Sequence, residues 1–312
     1  MFGQPKGRKI PQDPKAKNKL IYGIVIALLM VAALVSGRMR TKQLQSVVRS
    51  DAPFQVHILD VGQGDSILVL ADGHAMLIDS GDASGGKAAA NALGLLGVTD
   101  LEYAVTTHLH FDHIGGFAEV CKARKILKVA EPQTPETLLP DDVAYQSYTK
   151  AVQDSGAERI TLHDGDSFTL GKAQVEVLAP AETAAPSDLN NTSLVLRVQY
   201  ESAVCLFTGD LEKDEEEALL ERHPELKADL LKVGHHGSQY ATGEAFLQAV
   251  SPQFAAISCG KNNDYGHPSP ETLERLKAAG AQVQITAEQG NLAYLYENGA
   301  LHCVPQRQEG QS

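Results

Sequence analysis

Three imidazoles and a carboxylate fall within six residues, His108, His110, Asp112 and His113, in the run THLHFDHIGG from Thr107 to Gly116. The run follows the apolar segment AVTT directly and precedes a helical pattern, which places it on a loop at the C-terminal end of a strand. Imidazoles gathered this closely are costly to bury without a shared ligand. Zinc accepts imidazole nitrogen and carboxylate oxygen readily, so the run reads as a metal-binding loop. Asp112 and the two glycines would also suit a plain helix start with close packing. That reading leaves the three histidines unexplained.

Other chemistry-bearing residues stand where apolar runs stop. Asp79 closes AMLIDSG, Asp210 closes AVCLFTGD, and His235 and His236 follow DLLKVG in the segment KVGHHGS. Each alone is weak, because an Asp after a strand is usually a turn former. Together with the histidine loop they make four strand ends, and open α/β architectures gather such ends on one edge and build sites there.

The surrounding pattern supports that architecture. Strand-like runs cover Phe54–Asp60, Ser66–Leu70, Ala75–Asp79 and Tyr103–Thr107, and helical stretches lie near 87–96, 117–123 and 143–155. A second strand-rich block begins at Ser167 and passes through an acidic helix over Glu212–Arg222. A β-rich block followed by βαβα, repeated, predicts two sheets packed face to face with helices outside. No compositional break divides residues 54–305, so one domain is expected there, preceded by a linker over 38–53 and followed by a tail over 306–312.

The N-terminus is different in kind. Residues 1–19 carry six Lys and Arg with three prolines and form a basic tail. Leu20 to Val35 reads LIYGIVIALLMVAALV without a charge, and with Ser36 and Gly37 it approaches the roughly 20 residues needed to span a bilayer. A single transmembrane helix over 20–37 is therefore expected. A cleaved signal peptide is the competing reading, although Ala33 to Gly37 makes a poor cleavage site. The basic excess before the span puts the tail in the cytoplasm and the large domain outside the cell membrane.

Charge narrows the partners. Residues 1–50 hold ten of the 27 basic and one of the 39 acidic residues, leaving 17 and 38 for the rest. A body this acidic is a poor surface for gripping a long phosphate backbone. DNA is not excluded, because a metal site can hold one phosphate locally. The four cysteines show no CxxC spacing, and no metal role is expected of them.

The series LIDSG, THLHFDHIGG, TGD and KVGHHGS, in that order, resembles the metallo-β-lactamase superfamily. Its details are similar to the hydrolase domain of the DNA-uptake channel protein ComEC and its free-standing relatives, through HILDVGQGDS (His57–Ser66), NNTSLVL (Asn190–Leu196) and NDYGHP (Asn263–Pro268). The resemblance covers roughly Phe54 to Tyr296 and implies the αββα sandwich of that superfamily.

It also implies roles. His108 and His110 would hold a first metal, Asp112, His113 and a late histidine a second, and Asp210 would bridge. The late histidine is expected to be His235, with His236 the alternative. Asp79 would orient a ligand imidazole, and His267 would contact substrate or donate a proton. Asp112 counts among the reacting groups as well as the ligands. Two Zn²⁺ ions are expected, with a metal-bound hydroxide as nucleophile. Most superfamily members place a third histidine on the first metal, where this chain has Asn190 and Asn191. Asn191 is thus a possible ligand, and Mn²⁺ or a single metal becomes an option. Relatives also tend to carry an Asp where this chain has Ala287.

The expected function is a membrane-anchored, metal-dependent phosphodiesterase acting on nucleic acid or a cell-wall-linked phosphodiester. The alternatives are hydrolysis of an ester, lactone or β-lactam, and an inactive metal-binding scaffold subunit. No protein partner is inferable.

Overall fold

Alternation decides which way each strand faces. In the first three strands, β1 (Phe54–Ile58), β2 (Ile67–Ala71) and β3 (His74–Ile78), Phe54, Val56, Ile58, Ile67, Val69, Met76 and Ile78 point into one core. Leu68, Ala75 and Leu77 point into another. Successive side chains on a strand leave opposite faces, so a strand apolar at nearly every position must be covered on both sides.

The computed structural model describes residues 48–180, 186 and 188–306. The expected basic tail and transmembrane helix lie outside the described residues. No helix among the described residues is long and apolar enough to cross a membrane.

After β3 the chain adds β4 (Asp100–Val105), β5 (Lys125–Pro132) and β6 (Glu158–Leu162) in parallel. It then builds a second sheet from β7 (Ser167–Leu170), β8 (Ala173–Ala179), β9 (Val195–Tyr200), β10 (Ala203–Phe207), β11 (Leu230–Lys232), β12 (Phe254–Ile257) and β13 (Gln282–Ile285). The last two strands, β14 (Leu292–Glu297) and β15 (Ala300–Pro305), return to the first sheet. The orders are β15-β14-β1-β2-β3-β4-β5-β6 and β13-β12-β11-β10-β9-β8-β7.

Three apolar clusters define the layers. The largest lies between the sheets and includes Phe54, Met76, Leu196, Phe207, Phe254 and Tyr294. The outer face of the first sheet is covered by the helices Gly86–Leu95, Phe117–Ala123 and Val143–Ser155, through Leu93, Phe117, Val120, Tyr148 and Val152. The helices Lys213–Arg222, Glu244–Val250 and Pro270–Ala278 cover the second through Leu219, Phe246, Leu247 and Leu276. The result is the αββα sandwich expected from the motifs.

The returning strands β14 and β15 and the edge strand β6 have no counterpart in the sequence reading. Strand β6 reads ERITL, is largely solvent-facing, and among the described residues pairs only with β5 at the edge of its sheet. A half-exposed edge strand lacks the apolar run by which the others are recognised.

The topology matters because β3 to β6 run parallel, as do β10 to β13. Asp79, the histidine loop, Asp210 and the His235–His236 pair all follow C-terminal ends of these strands.

Candidate metal centre

The site begins at the end of β3. Asp79 takes a left-handed backbone (φ 58°) and is almost fully buried. Its Oδ1 accepts from the Thr107 backbone N–H at 2.8 Å and its Oδ2 from the Thr107 hydroxyl at 2.7 Å. Asp79 Oδ2 also lies 2.8 Å from His113 Nδ1. One carboxylate therefore fixes both the end of β4 and the ring of His113, leaving His113 Nε2 to face inward. Left-handed residues of this kind cost about 1–3 kcal/mol and gather at functional sites.

Asp210, after β10, sits at the centre. Its Oδ2 is 3.4 Å from His113 Nε2, 3.3 Å from His236 Nε2, 3.8 Å from His235 Nε2 and 4.0 Å from His108 Nε2. The Asp210 backbone N–H donates to Ser193 Oγ at 3.0 Å, which ties this strand end to the NNTS segment. His108 Nε2 lies 2.9 Å from His110 Nδ1, and His236 Nε2 lies 3.3 Å from Asp112 Oδ2. His108, His110, Asp112, His113 and Asp210 thus come together as one cluster.

The geometry distinguishes the two late histidines. His235 and His236 both adopt left-handed backbones (φ 47° and 53°), so the chain turns sharply at the end of β11. His236 is buried, and its Nδ1 lies 3.0 Å from the Ser258 carbonyl and 3.2 Å from Asp65 Oδ1, directing Nε2 at the carboxylates. His235 stays at the rim with 22% of its side chain exposed, and its Nδ1 lies 3.2 Å from Glu212 Oε1. A backbone carbonyl only accepts, so the Ser258 contact places the proton of a neutral His236 on Nδ1 and keeps Nε2 free.

The two asparagines also face different ways. Asn191 turns away: its Oδ1 accepts from the Glu212 backbone N–H at 3.2 Å. Asn190 faces the cluster, donating from Nδ2 to Glu212 Oε1 at 3.3 Å, while its buried Oδ1 makes no hydrogen bond.

The donor set fits a divalent metal. His113 Nε2, His236 Nε2 and Asp210 Oδ1 are buried without a hydrogen-bond partner. Ligand atoms of His108, His113 and Asp210, and of Asp112, His113 and His236, each lie within 4.8 Å of one another. Buried polar atoms are rarely left unsatisfied, and a shared cation would satisfy these. The carboxylates make the cluster attractive to positive charge. Burial opposes a charged His113 ring, yet Asp210 and Asp79 outweigh it and raise its pKa well above the ordinary value. His108 is held well below, mainly by burial and then by His113.

Residues 59–261 match the Metallo-beta-lactamase superfamily. The chain belongs to that superfamily. Among curated proteins, ComE operon protein 3 of Bacillus subtilis is 34% identical over 262 residues, covering 78% of this chain and 33% of that protein. Competence protein ComA of Neisseria gonorrhoeae is 31% identical over 272 residues, covering 86% and 35%. The chain therefore spans about a third of the length of these curated relatives. Among solved structures, the diiron beta-hydroxylase CmlA from Streptomyces venezuelae superposes with a TM-score of 0.53 at 12% identity, covering 79% of this chain and 55% of that one. The metallo-beta-lactamase fold protein YhfI from Bacillus subtilis gives 0.50 at 13% identity, covering 74% and 96%. At such identities the superpositions establish the fold alone. This metallo-β-lactamase superfamily chain carries the metal-dependent hydrolase fold and is related to proteins named for competence.

Beside the cluster the superfamily site opens into a cleft of about 190 Å³, whose walls include Gln63, Phe111, Tyr265 and His267. Asn263 braces the loop that supplies the last two. Its Oδ1 accepts from the Tyr265 and His267 backbone N–H groups at 3.1 and 2.9 Å, and its Nδ2 donates to the His267 carbonyl at 2.6 Å. Burial, then His236 and His235, push the His267 pKa down to about 4. A neutral His267 is therefore the form present at neutral pH.

Sequence reasoning missed Asp65 and Lys232. Lys232 Nζ donates to Asp65 and to the Val233 carbonyl at 2.8 Å, all without solvent. Both residues sit inside quoted motifs, HILDVGQGDS and KVGHHGS, so a charged residue in an otherwise apolar strand was the available signal. Gly64 explains part of the first motif: it has φ +122°, and a Cβ there would collide with the Asp112 carbonyl.

Proposed function

We propose that the protein is a metal-dependent phosphodiesterase, held at the cell membrane by residues 20–37 with its hydrolase domain outside. The observation that carries the proposal is the position of Asp210, one buried carboxylate oxygen within 4.0 Å of four imidazoles. His108, His110 and Asp210 would hold one divalent ion. Asp112, His113, His236 and Asp210 would hold the second, with His236 taking the place first expected of His235. Zinc suits the imidazole-rich set, and the Asn190 carboxamide in place of a third histidine makes Mn²⁺ acceptable. Bound there, the ions would supply Lewis acidity toward a phosphoryl oxygen and activate water for in-line attack.

The chain's own residues do the rest. Asp79 holds His113 and Thr107 in place, so the donors are set before substrate arrives. Neutral His267, on its braced loop, offers the substrate an N–H donor at the cleft wall. Asp112, at the cleft and beside His236, is the carboxylate positioned to take up a proton. The acidic body favours a substrate with few phosphates in contact, such as a short or terminal nucleic-acid strand or a wall-linked phosphodiester. Kinship with competence proteins supports the nucleic-acid option.

The test is hydrolysis of bis-p-nitrophenyl phosphate by the detergent-solubilised full chain with Zn²⁺ or Mn²⁺, using His110→Ala as the control. Turnover that needs the metal and disappears in the variant is expected. Hydrolysis of a p-nitrophenyl carboxylic ester or a chromogenic β-lactam, with none of the diester, would replace the proposal by the carboxyl-ester reading. Metal binding without any turnover would favour the scaffold.

A further inference from the structure

Two aromatic rings stand in solvent at the mouth of the cleft. Phe111 is 45% exposed and Tyr265 59% exposed, and both line the same opening as His110, Asp112 and Asp210. Neither is there to fill a core. Phe111 opens the short helix Phe111–Ile114 directly after His110, so the position of its ring is tied to that of a proposed ligand. The Tyr265 ring lies nearly parallel to that of His267, at 5.7 Å and 24°. Asn263 holds the backbone on both sides of it. Aromatics presented on braced backbone bind with little loss of conformational freedom.

The rest of the lining says what such rings would meet. Among the described residues, no Lys or Arg lines the cleft. An extended phosphate backbone gains little from this lining beyond the metals, so its affinity has to come from elsewhere. A nucleobase stacked on an aromatic side chain supplies roughly 1–3 kcal/mol without any charge. The cleft, at about 190 Å³, takes one phosphate and its neighbouring group rather than several units.

We propose that Phe111 and Tyr265 form a stacking clamp that selects phosphodiesters carrying an unpaired nucleobase next to the scissile bond. The clamp rests on the phosphodiesterase reading and narrows it to single-stranded nucleic acid or short nucleotides. A base paired inside a duplex keeps its faces covered by neighbours and cannot enter. The two rings determine specificity through binding and take no part in the chemistry.

Binding and turnover are measured separately on the full chain loaded with metal. Calorimetry compares thymidine 5′-monophosphate with deoxyribose 5-phosphate, which lacks the base, and with choline phosphate. The expected result is thymidine monophosphate binding about tenfold or more tightly than the sugar phosphate, the size of one aromatic–base stack. Phe111→Ala and Tyr265→Ala should each remove most of that preference, and Tyr265→Phe should retain it. On a short oligothymidylate the alanine variants should raise KM and leave kcat nearly unchanged. Equal affinities for the base-bearing and base-free ligands, or tighter binding of choline phosphate, overturn the clamp. Base-selective binding that depends on both rings, without hydrolysis of any diester, supports the clamp and sinks the phosphodiesterase reading instead.

Discussion

Lys232 Nζ lies 2.9 Å from Asp65 Oδ2, and both side chains are sealed from solvent at 0% and 1% exposure. The pair stands next to the proposed metal centre, because the other Asp65 oxygen is 3.2 Å from His236 Nδ1. Removing one partner of a buried pair leaves an uncompensated charge, which typically costs about 3–5 kcal/mol. Lys232→Met should lower the urea midpoint by an amount of that order. Adding Asp65→Leu to it should recover most of the loss, since an apolar pair replaces a charged one. An unchanged midpoint in the single variant would mean that the pair does not hold this part of the fold.

His236 and His235 should separate cleanly in metal content. His236 points a buried, unpartnered Nε2 at Asp112 and Asp210, whereas His235 stands at the rim beside Glu212. Mass spectrometry of the purified variants should find His236→Ala short of at least one metal per chain. His235→Ala should keep its full complement. The opposite pattern would return the ligand role to His235.

Removing the metal should destabilise the domain through the orphaned atoms at its centre. A ligand that binds only the folded state adds about 2.7 kcal/mol at a concentration one hundred times its Kd. A chelator should therefore lower Tm by several degrees, and added Zn²⁺ or Mn²⁺ should restore it. In Asp210→Asn the Tm should respond little to either treatment, because the shared carboxylate is gone.

Glu216 should give the domain a separable pH dependence. Its buried carboxylate accepts from the Thr242 and Gly243 backbone N–H groups, the latter at 2.8 Å, and burial raises its pKa from 4.5 to about 7. The folded state then holds a proton that the unfolded state has already released between those values. Stability contributed by this group is present below pH 4.5 and lost as pH rises toward 7, at up to about 1.4 kcal/mol per unit. The stability of wild type relative to Glu216→Gln in urea unfolding should therefore fall as pH rises from about 5 to 7. A parallel pair of curves would show that the carboxylate is ionised throughout.

Much of this was legible without coordinates. Apolar runs closed by Asp79, by His108 to His113, by Asp210 and by the His235–His236 pair announce strand ends, because a period-two run stops where side chains must turn to polar work. The layers followed from the order of the runs, a β-rich block and then βαβα, repeated. The motif series carried the family. Edge strand β6 escaped because its residues face solvent and leave no apolar signature.

The sequence by itself determined which groups are available to a metal and that they lie at neighbouring strand ends. Only the tertiary structure decided which of two adjacent residues faces inward. Two successive left-handed residues turn His236 in and leave His235 at the rim, and the Asn190–Thr192 turn faces Asn190 to the cluster while Asn191 caps Glu212. It also decided that Asp65 and Lys232 meet across 167 positions of chain. Composition and spacing constrain a residue's neighbours along the chain. Orientation at a turn and pairing between distant strands depend on backbone dihedrals and register, which exist only once the two sheets have packed.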